Sequence, residues 1–169
     1  MNILMITGAT RPENKTARAV KLVQNYLKEK YPQISLTTVN PNDFTLDFDN
    51  HDQNPEYLKL VSEANALIIL TPEYNHGYPG KLKSLLDCAF KEYKDKHVLL
   101  GGVSDGPFGG ARAIENLSPI IKCFSMIMSK ADMIFPTIDK IIDADGKSLD
   151  PEHYSRVTKV IDEFIVRVS

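Results

Sequence analysis

The chain has 169 residues, with 20 Lys+Arg against 22 Asp+Glu and a formal net charge of -2. That length favours one domain over residues 1–169, and 43% apolar with 25% charged residues excludes an intrinsically disordered chain. Balanced charge removes the electrostatic case for nucleic acid or anionic membrane as partner. No apolar run reaches the roughly 18 residues of a bilayer span, and two cysteines are too few for a disulfide framework.

Asn2–Thr7 is a short apolar run closed by Gly8, the pattern of a strand buried on both faces. Helical spacing follows over Glu13–Lys30, with Val20, Val23 and Leu27 on one face. Ser35–Val39 is a second strand, followed by an acidic loop from Asp43 to Asp52. A helix over Pro55–Asn65 turns Leu58, Val61 and Ala64 inward, and Ala66–Thr71 is the most hydrophobic strand. A helix over Lys81–Tyr93 and a fourth strand at His97–Val103 come next. Ala111–Met128 has helical periodicity, and Pro119 is expected to kink or divide it. Asp132–Phe135 is a fifth strand, and the last helix starts with Asp150 as N-cap and Pro151 behind it. Strands alternating with helices predict an α/β open parallel sheet with helices on both faces. The opening segment has neither a basic leader nor a cleavage site, so a cytoplasmic protein is expected.

The glycines carry the functional signal. Eight of the nine (all but Gly146) fall in or just after the first, third and fourth strands. In a parallel sheet those strand ends share one edge, where ligands of open α/β sheets bind. Glycines there let main-chain N–H groups approach a flat or phosphorylated ligand. The first loop, Thr7–Thr16, opens a helix whose N-terminus attracts phosphate. Thr10 and Thr16 offer hydroxyls, and Arg11 and Lys15 offer cations; Asn14 or Thr10 is also a capping residue. The loop is neither a P-loop nor a dinucleotide fingerprint. Cys88 and Cys123 read as buried inert thiols, and no His, Cys, Asp or Glu cluster has metal-ligand spacing.

Thr71-Pro-Glu-Tyr-Asn75 ends the third strand, followed by Pro79-Gly80 and Leu82-Lys83, with Gly109-Gly110-Ala111-Arg112 further on. This set resembles the NADPH-dependent FMN reductase family, a flavodoxin-like group of FMN, quinone, azo-dye and chromate reductases. The resemblance implies a five-stranded sheet in the order 2-1-3-4-5 and bound FMN, with NADPH or NADH as co-substrate. It implies that Thr10, Arg11, Lys15 and Thr16 surround the phosphate and that Pro72, Glu73, Tyr74 and Asn75 line the ring. Ser104, Gly106, Gly109 and Gly110 would close its other side. A small-molecule electron acceptor and a homodimer or homotetramer follow by the same resemblance, with Tyr74, Tyr78 and the helix from Lys81 at the interface. The chain departs from the family pattern at Ala9, Gly77 and Cys88, where serine, serine and tryptophan are common. Two other readings are a flavodoxin-type electron carrier without nicotinamide binding, and a non-enzymatic binder of another phosphorylated ligand.

Overall fold

A computed structural model describes residues 1–46 and 54–169, so part of the expected acidic loop, 47–53, lies outside the described residues. The strands are β1 Asn2–Thr7, β2 Ser35–Val39, β3 Ala66–Pro72, β4 His97–Val103, β5 Ile127–Met128 and β6 Met133–Phe135. They form one parallel sheet in the order β2-β1-β3-β4-β5, with β6 also paired to β4. The helices are α1 Thr16–Lys30, α2 Pro55–Glu63, α3 Gly80–Leu86, α4 Ala111–Cys123, α5 Ile138–Ile141 and α6 Pro151–Val168.

Alternation along the central strands divides the core in two. Ile3 and Met5 of β1, Ile68 and Leu70 of β3, and Leu99 of β4 pack with α1, α5 and α6. Leu4 and Ile6, Leu67 and Ile69, and Val98 and Leu100 pack on the other face with α2, α3 and α4. Each central strand is therefore buried on both sides, which is why its sequence reads as a continuous apolar run.

Several elements differ from the sequence expectation. Strand position five is filled twice. β5 pairs with His97 and Val98, the chain leaves the sheet, and β6 returns beside Gly101–Val103. α4 stops at Cys123, so the expected helical stretch to Met128 contains β5 instead. Pro119 lies inside α4 without dividing it. Pro119 and Glu115 are both exposed, so the carbonyl that proline leaves unpaired lies on the solvated face. Cys123 is exposed and Cys88 half-buried, which corrects the reading of both as buried thiols. Cys123 lies off the buried stripe of Ala113, Ile114, Leu117 and Ile121. The helix expected over Lys81–Tyr93 ends at Leu86, and Tyr93 sits in a separate 3-10 turn. There its hydroxyl meets that of Tyr57 at 2.6 Å inside the core.

Candidate functional site

The strand order reverses between β1 and β3, and three loops meet at the C-terminal edge of the sheet beside that point. The first loop is longer than expected, because α1 starts at Thr16 and not at Glu13. Asn14 sets that start: its Oδ1 accepts the Ala17 N–H at 3.0 Å and its Nδ2 donates to the Arg11 carbonyl at 2.9 Å. Among the described residues the Thr16 N–H has no partner, so the head of α1 keeps a free donor in addition to the hydroxyl. The loop backbone is held from outside by the turn after β2. Asn42 donates to the Thr10 carbonyl at 2.8 Å, Asn40 donates to the Ala9 carbonyl, and Lys81 donates to Asn42 at 2.9 Å. No periodicity or motif marks Asn40 and Asn42, and sequence reasoning missed them.

Lys15 does not stand free. Its Nζ donates to Asp105 at 3.0 Å and to Asp139 at 2.5 Å, while Arg18 pairs with Asp139 at 3.0 Å. The hydrogen bonds to Asp139 and Asp105 raise the Lys15 pKa, and the bond from Lys15 lowers that of Asp139. Arg11 lies over the Tyr74 ring, 4.3 Å from its centroid, and joins the first loop to the second.

The second loop folds back tightly after β3. Tyr74 and Gly77 exchange hydrogen bonds of 2.8 and 3.0 Å, with Asn75 at φ 49° and His76 at φ 68° between them. Two successive positive φ values make this a mirror-image turn, which explains asparagine at its first corner. Glu73 lies just before it with a side chain only 7% exposed. Its Oε1 accepts from Arg112 Nε at 2.7 Å and forms an ion pair with Arg112 Nη2 at 2.7 Å. Arg112 Nη1 lies 3.1 Å from His76 Nε2, and Asn116 donates to the His76 carbonyl at 2.8 Å. α4 therefore braces the turn, through residues the sequence reading did not assign to a site.

In the third loop, Ser104 Oγ donates to the Gly106 carbonyl at 3.0 Å, and Thr137 N–H donates to the same oxygen at 2.9 Å. Gly109 and Gly110 have φ of +58° and +80°. A Cβ on Gly110 would lie 2.5 Å from Val103 N and 2.7 Å from Gly102 Cα, so these glycines let α4 start against β4.

The loops enclose a cavity of about 550 Å³ lined by Arg11, Lys15, Thr16, Pro72, Glu73, Tyr74, Ser104 and Gly106 among the expected residues. Glu13, Asn14, Val103, Asp105, Pro107, Phe108, Arg112 and Ile138 complete the lining. Thr10, Asn75, Gly109 and Gly110 lie outside it: Thr10 is turned into the Asn42 contact by its carbonyl, Asn75 forms the turn, and the two glycines pack behind the loop. The volume is within the usual cofactor range. The donor set fits FMN. A free helix-terminal N–H, a hydroxyl and an uncommitted guanidinium suit a phosphate, and the buried Glu73 Oε2, unpartnered among the described residues, suits a ring donor. Among the described residues there is no group of three or more His, Cys, Asp or Glu that could hold a metal ion.

A family model described as NADPH-dependent FMN reductase matches residues 1–140. The chain is 24% identical over 176 residues to an NADH:(hydroxy)cinnamate reductase subunit, CrdA, of Vibrio ruber, covering 98% of this chain and 86% of that one. It is 31% identical over 117 residues to a quinone reductase of Escherichia coli, covering 64% of this chain and 62% of the relative. In structure it superposes on FerB, a flavoenzyme NAD(P)H:(acceptor) oxidoreductase of Paracoccus denitrificans, with a TM-score of 0.82 and 22% identity, over 99% of this chain and 96% of that one. Motif, sheet order and family model agree: the chain belongs to the NADPH-dependent FMN reductase family.

Proposed function

We propose that this chain is an FMN-dependent NAD(P)H oxidoreductase that reduces a quinone or a similar small acceptor, and that one domain carries the whole site. Family membership supports the cofactor and the nicotinamide, and the quinone reductase relatives support the acceptor class. The carrying observation is the cavity at the β1/β3 reversal, built from three loops with uncommitted donors at one end and a buried carboxylate on its wall.

Arg11, Thr16 and the head of α1 hold the phosphate, which makes Lys15 a brace to Asp105 and Asp139 and not a direct ligand. Pro72, Glu73 and Tyr74 face the ring from one loop, and Ser104 and Gly106 from the other. Thr10, Asn75, Gly109 and Gly110 shape those loops. The chemistry FMN supplies when bound is acceptance of a hydride from a nicotinamide and its delivery to a second substrate. The protein positions the ring and leaves one face open, and Phe108, 61% exposed on the rim, offers a flat apolar surface to either substrate. We further propose a homodimer or homotetramer joined through Tyr74, Tyr78 and α3, located in the cytoplasm. Among the described residues no helix is long and apolar enough to cross a membrane.

The purified protein should carry or take up FMN, and anaerobic NADPH or NADH should bleach its visible absorbance. Bleaching absent with FMN bound would leave an electron carrier, and no FMN uptake at all would end the reading. Arg11→Ala with Thr16→Ala should lower FMN affinity by about 100-fold or more, since each charge-assisted hydrogen bond is worth roughly 1.5–3 kcal/mol. Unchanged affinity would move the phosphate elsewhere.

A further inference from the structure

Between α6 and the chain from Ser129 to Pro136 lie two adjoining recesses of about 630 and 530 Å³, which share Ala131, Val160 and Glu163. None of their lining residues belongs to the flavin cavity. Ile134, Pro136, Val157 and Val160 give one recess aliphatic walls, and Val166 stands on the border of the other at 77% exposure. A lone exposed aliphatic residue is ordinary, but one beside an aliphatic recess makes a patch of the kind that marks an interaction site.

The charges on this face are open as well. Glu163 stands four residues from both Lys159 and Arg167 on α6 and pairs with neither, while Glu152 and Arg156 at the same spacing pair at 3.2 Å. Lys130, Asp132, Lys159, Glu163 and Arg167 make no ion pair among the described residues. Burial and the neighbouring Glu115 raise the Asp132 carboxyl, so a cation brought beside it would be favoured. Addition of a foreign strand is blocked. Lys130 and Pro136 flank β6, and the Ile134 carbonyl already meets His153 Nε2 at 2.8 Å. An occupant therefore engages side chains and not the main chain of the sheet edge.

A patch that meets itself about a two-fold axis must carry both a projection and a recess, and both signs of charge. This face carries all four, whereas a partner of one charge sign would leave either the acids or the bases unmatched. We infer that it is an isologous contact between two copies of this chain. Val166 of each copy enters the recess of the other, and Asp132 and Glu163 of each meet the open cations of the other. The contact is additional to the α3 face proposed above and does not rest on the reading of the flavin cavity.

The test is molar mass by sedimentation velocity, with wild type compared with two variants and a rescue. Val166→Glu, at an exposed position, puts a charge against an aliphatic recess. It should halve the mass through a rise in dissociation constant of about 100-fold or more. The halving reads as tetramer to dimer if α3 also assembles, and as dimer to monomer if it does not. Glu163→Arg should likewise halve the mass, because it removes the acid between two cations. Adding Lys159→Glu and Arg167→Glu to it reverses the pattern and should restore the wild-type mass. That rescue separates a contact between copies from damage within one. FMN affinity should not move, since the two sites share no residue. A monomeric wild type, an unchanged mass in Val166→Glu, or a Glu163→Arg loss without rescue would each overturn the inference.

Discussion

Two glycines of the third loop, four residues apart, should respond in opposite ways to a methyl group. At Gly110 a side chain meets two separate penalties. The backbone lies at φ +80°, and a non-glycine residue there costs about 1–2 kcal/mol. The new Cβ would sit 2.5 Å from Val103 N and 2.7 Å from Gly102 Cα, atoms of a central strand that cannot turn aside. Overpacking of that kind costs about 1–3 kcal/mol more. Gly110→Ala should therefore lose about 2–5 kcal/mol of a total near 5–15. At Gly106 the nearest atom to an added methyl would be Ser104 Oγ at 4.0 Å, so Gly106→Ala should stay within about 0.5 kcal/mol of wild type. Urea denaturation followed by circular dichroism reads both as shifts in midpoint at constant slope. If Gly110→Ala unfolds at the same midpoint as Gly106→Ala, this glycine is not kept for close packing of α4 on β4.

At the far end of α1, Tyr26 and Tyr31 donate to Asp162 at 2.6 and 2.8 Å and Lys30 donates at 2.6 Å. Burial pushes the Asp162 carboxyl up, but these three bonds outweigh it and hold the carboxyl below its usual range. Its stabilisation is thus complete above the unfolded value near 3.9 and lost as pH falls through the folded one. Asp162→Asn should cost about 1–2 kcal/mol at pH 7, a figure discounted for partial exposure, and the gap to wild type should close in acid; a gap constant with pH would refute this. Tyr93→Phe should cost about 1–3 kcal/mol in a thermal melt, because it removes a buried partner of the Tyr57 hydroxyl, and a neutral result would show that bond to be idle. Phe108→Ala should leave stability within about 0.5 kcal/mol yet raise KM for a flat quinone several-fold in steady-state assays; an unchanged KM would remove Phe108 from the acceptor face.

The sheet was legible because its central strands are buried on both sides, so β1, β3 and β4 show as unbroken apolar runs with glycine at or near their ends. The edge was legible only in part: the strand expected at Asp132–Phe135 is β6, but β5, two residues long, is too short for any period, and the turn at Ser125 that stops α4 leaves no mark beyond φ 56°. α5 was missed for the same reason of length. In the site, the motif Thr71–Asn75 gave the second loop, and the structure supplies its physical reason in the left-handed pair Asn75-His76. The glycines pointed to the right edge of the sheet but for a partly different cause. Gly8 faces Leu82 and Thr71, and Gly102 faces Gly109 and Gly110, so these serve close packing of chain segments rather than approach to a ligand. What a single sequence could not show was pairing at long range: Lys15 with Asp139, Arg112 with Glu73, and Asn42 with the Thr10 carbonyl.

Under the proposed function, those pairings decide which cation would meet the phosphate. Of the three basic residues on the cavity wall, Lys15 is bound by two carboxylates and Arg112 by one, while the Arg11 guanidinium lies over the Tyr74 ring with no ion pair among the described residues. A guanidinium over an aromatic face is worth about 0.5–2 kcal/mol, whereas each hydrogen bond from a charged donor to phosphate is worth about 1.5–3, and a guanidinium can make two. On the proposed reading, Arg11 would leave the ring when an anion arrives, and the same movement would uncover Tyr74 for the flat part of the ligand. Lys15 has no such incentive, because leaving would strip Asp105 of its cation and leave Asp139 with Arg18 alone. One residue would thus link the two ends of the cavity, and Arg11→Lys, which keeps the charge but loses the planar fork, should weaken phosphate binding if the proposal holds; unchanged FMN affinity would refute it.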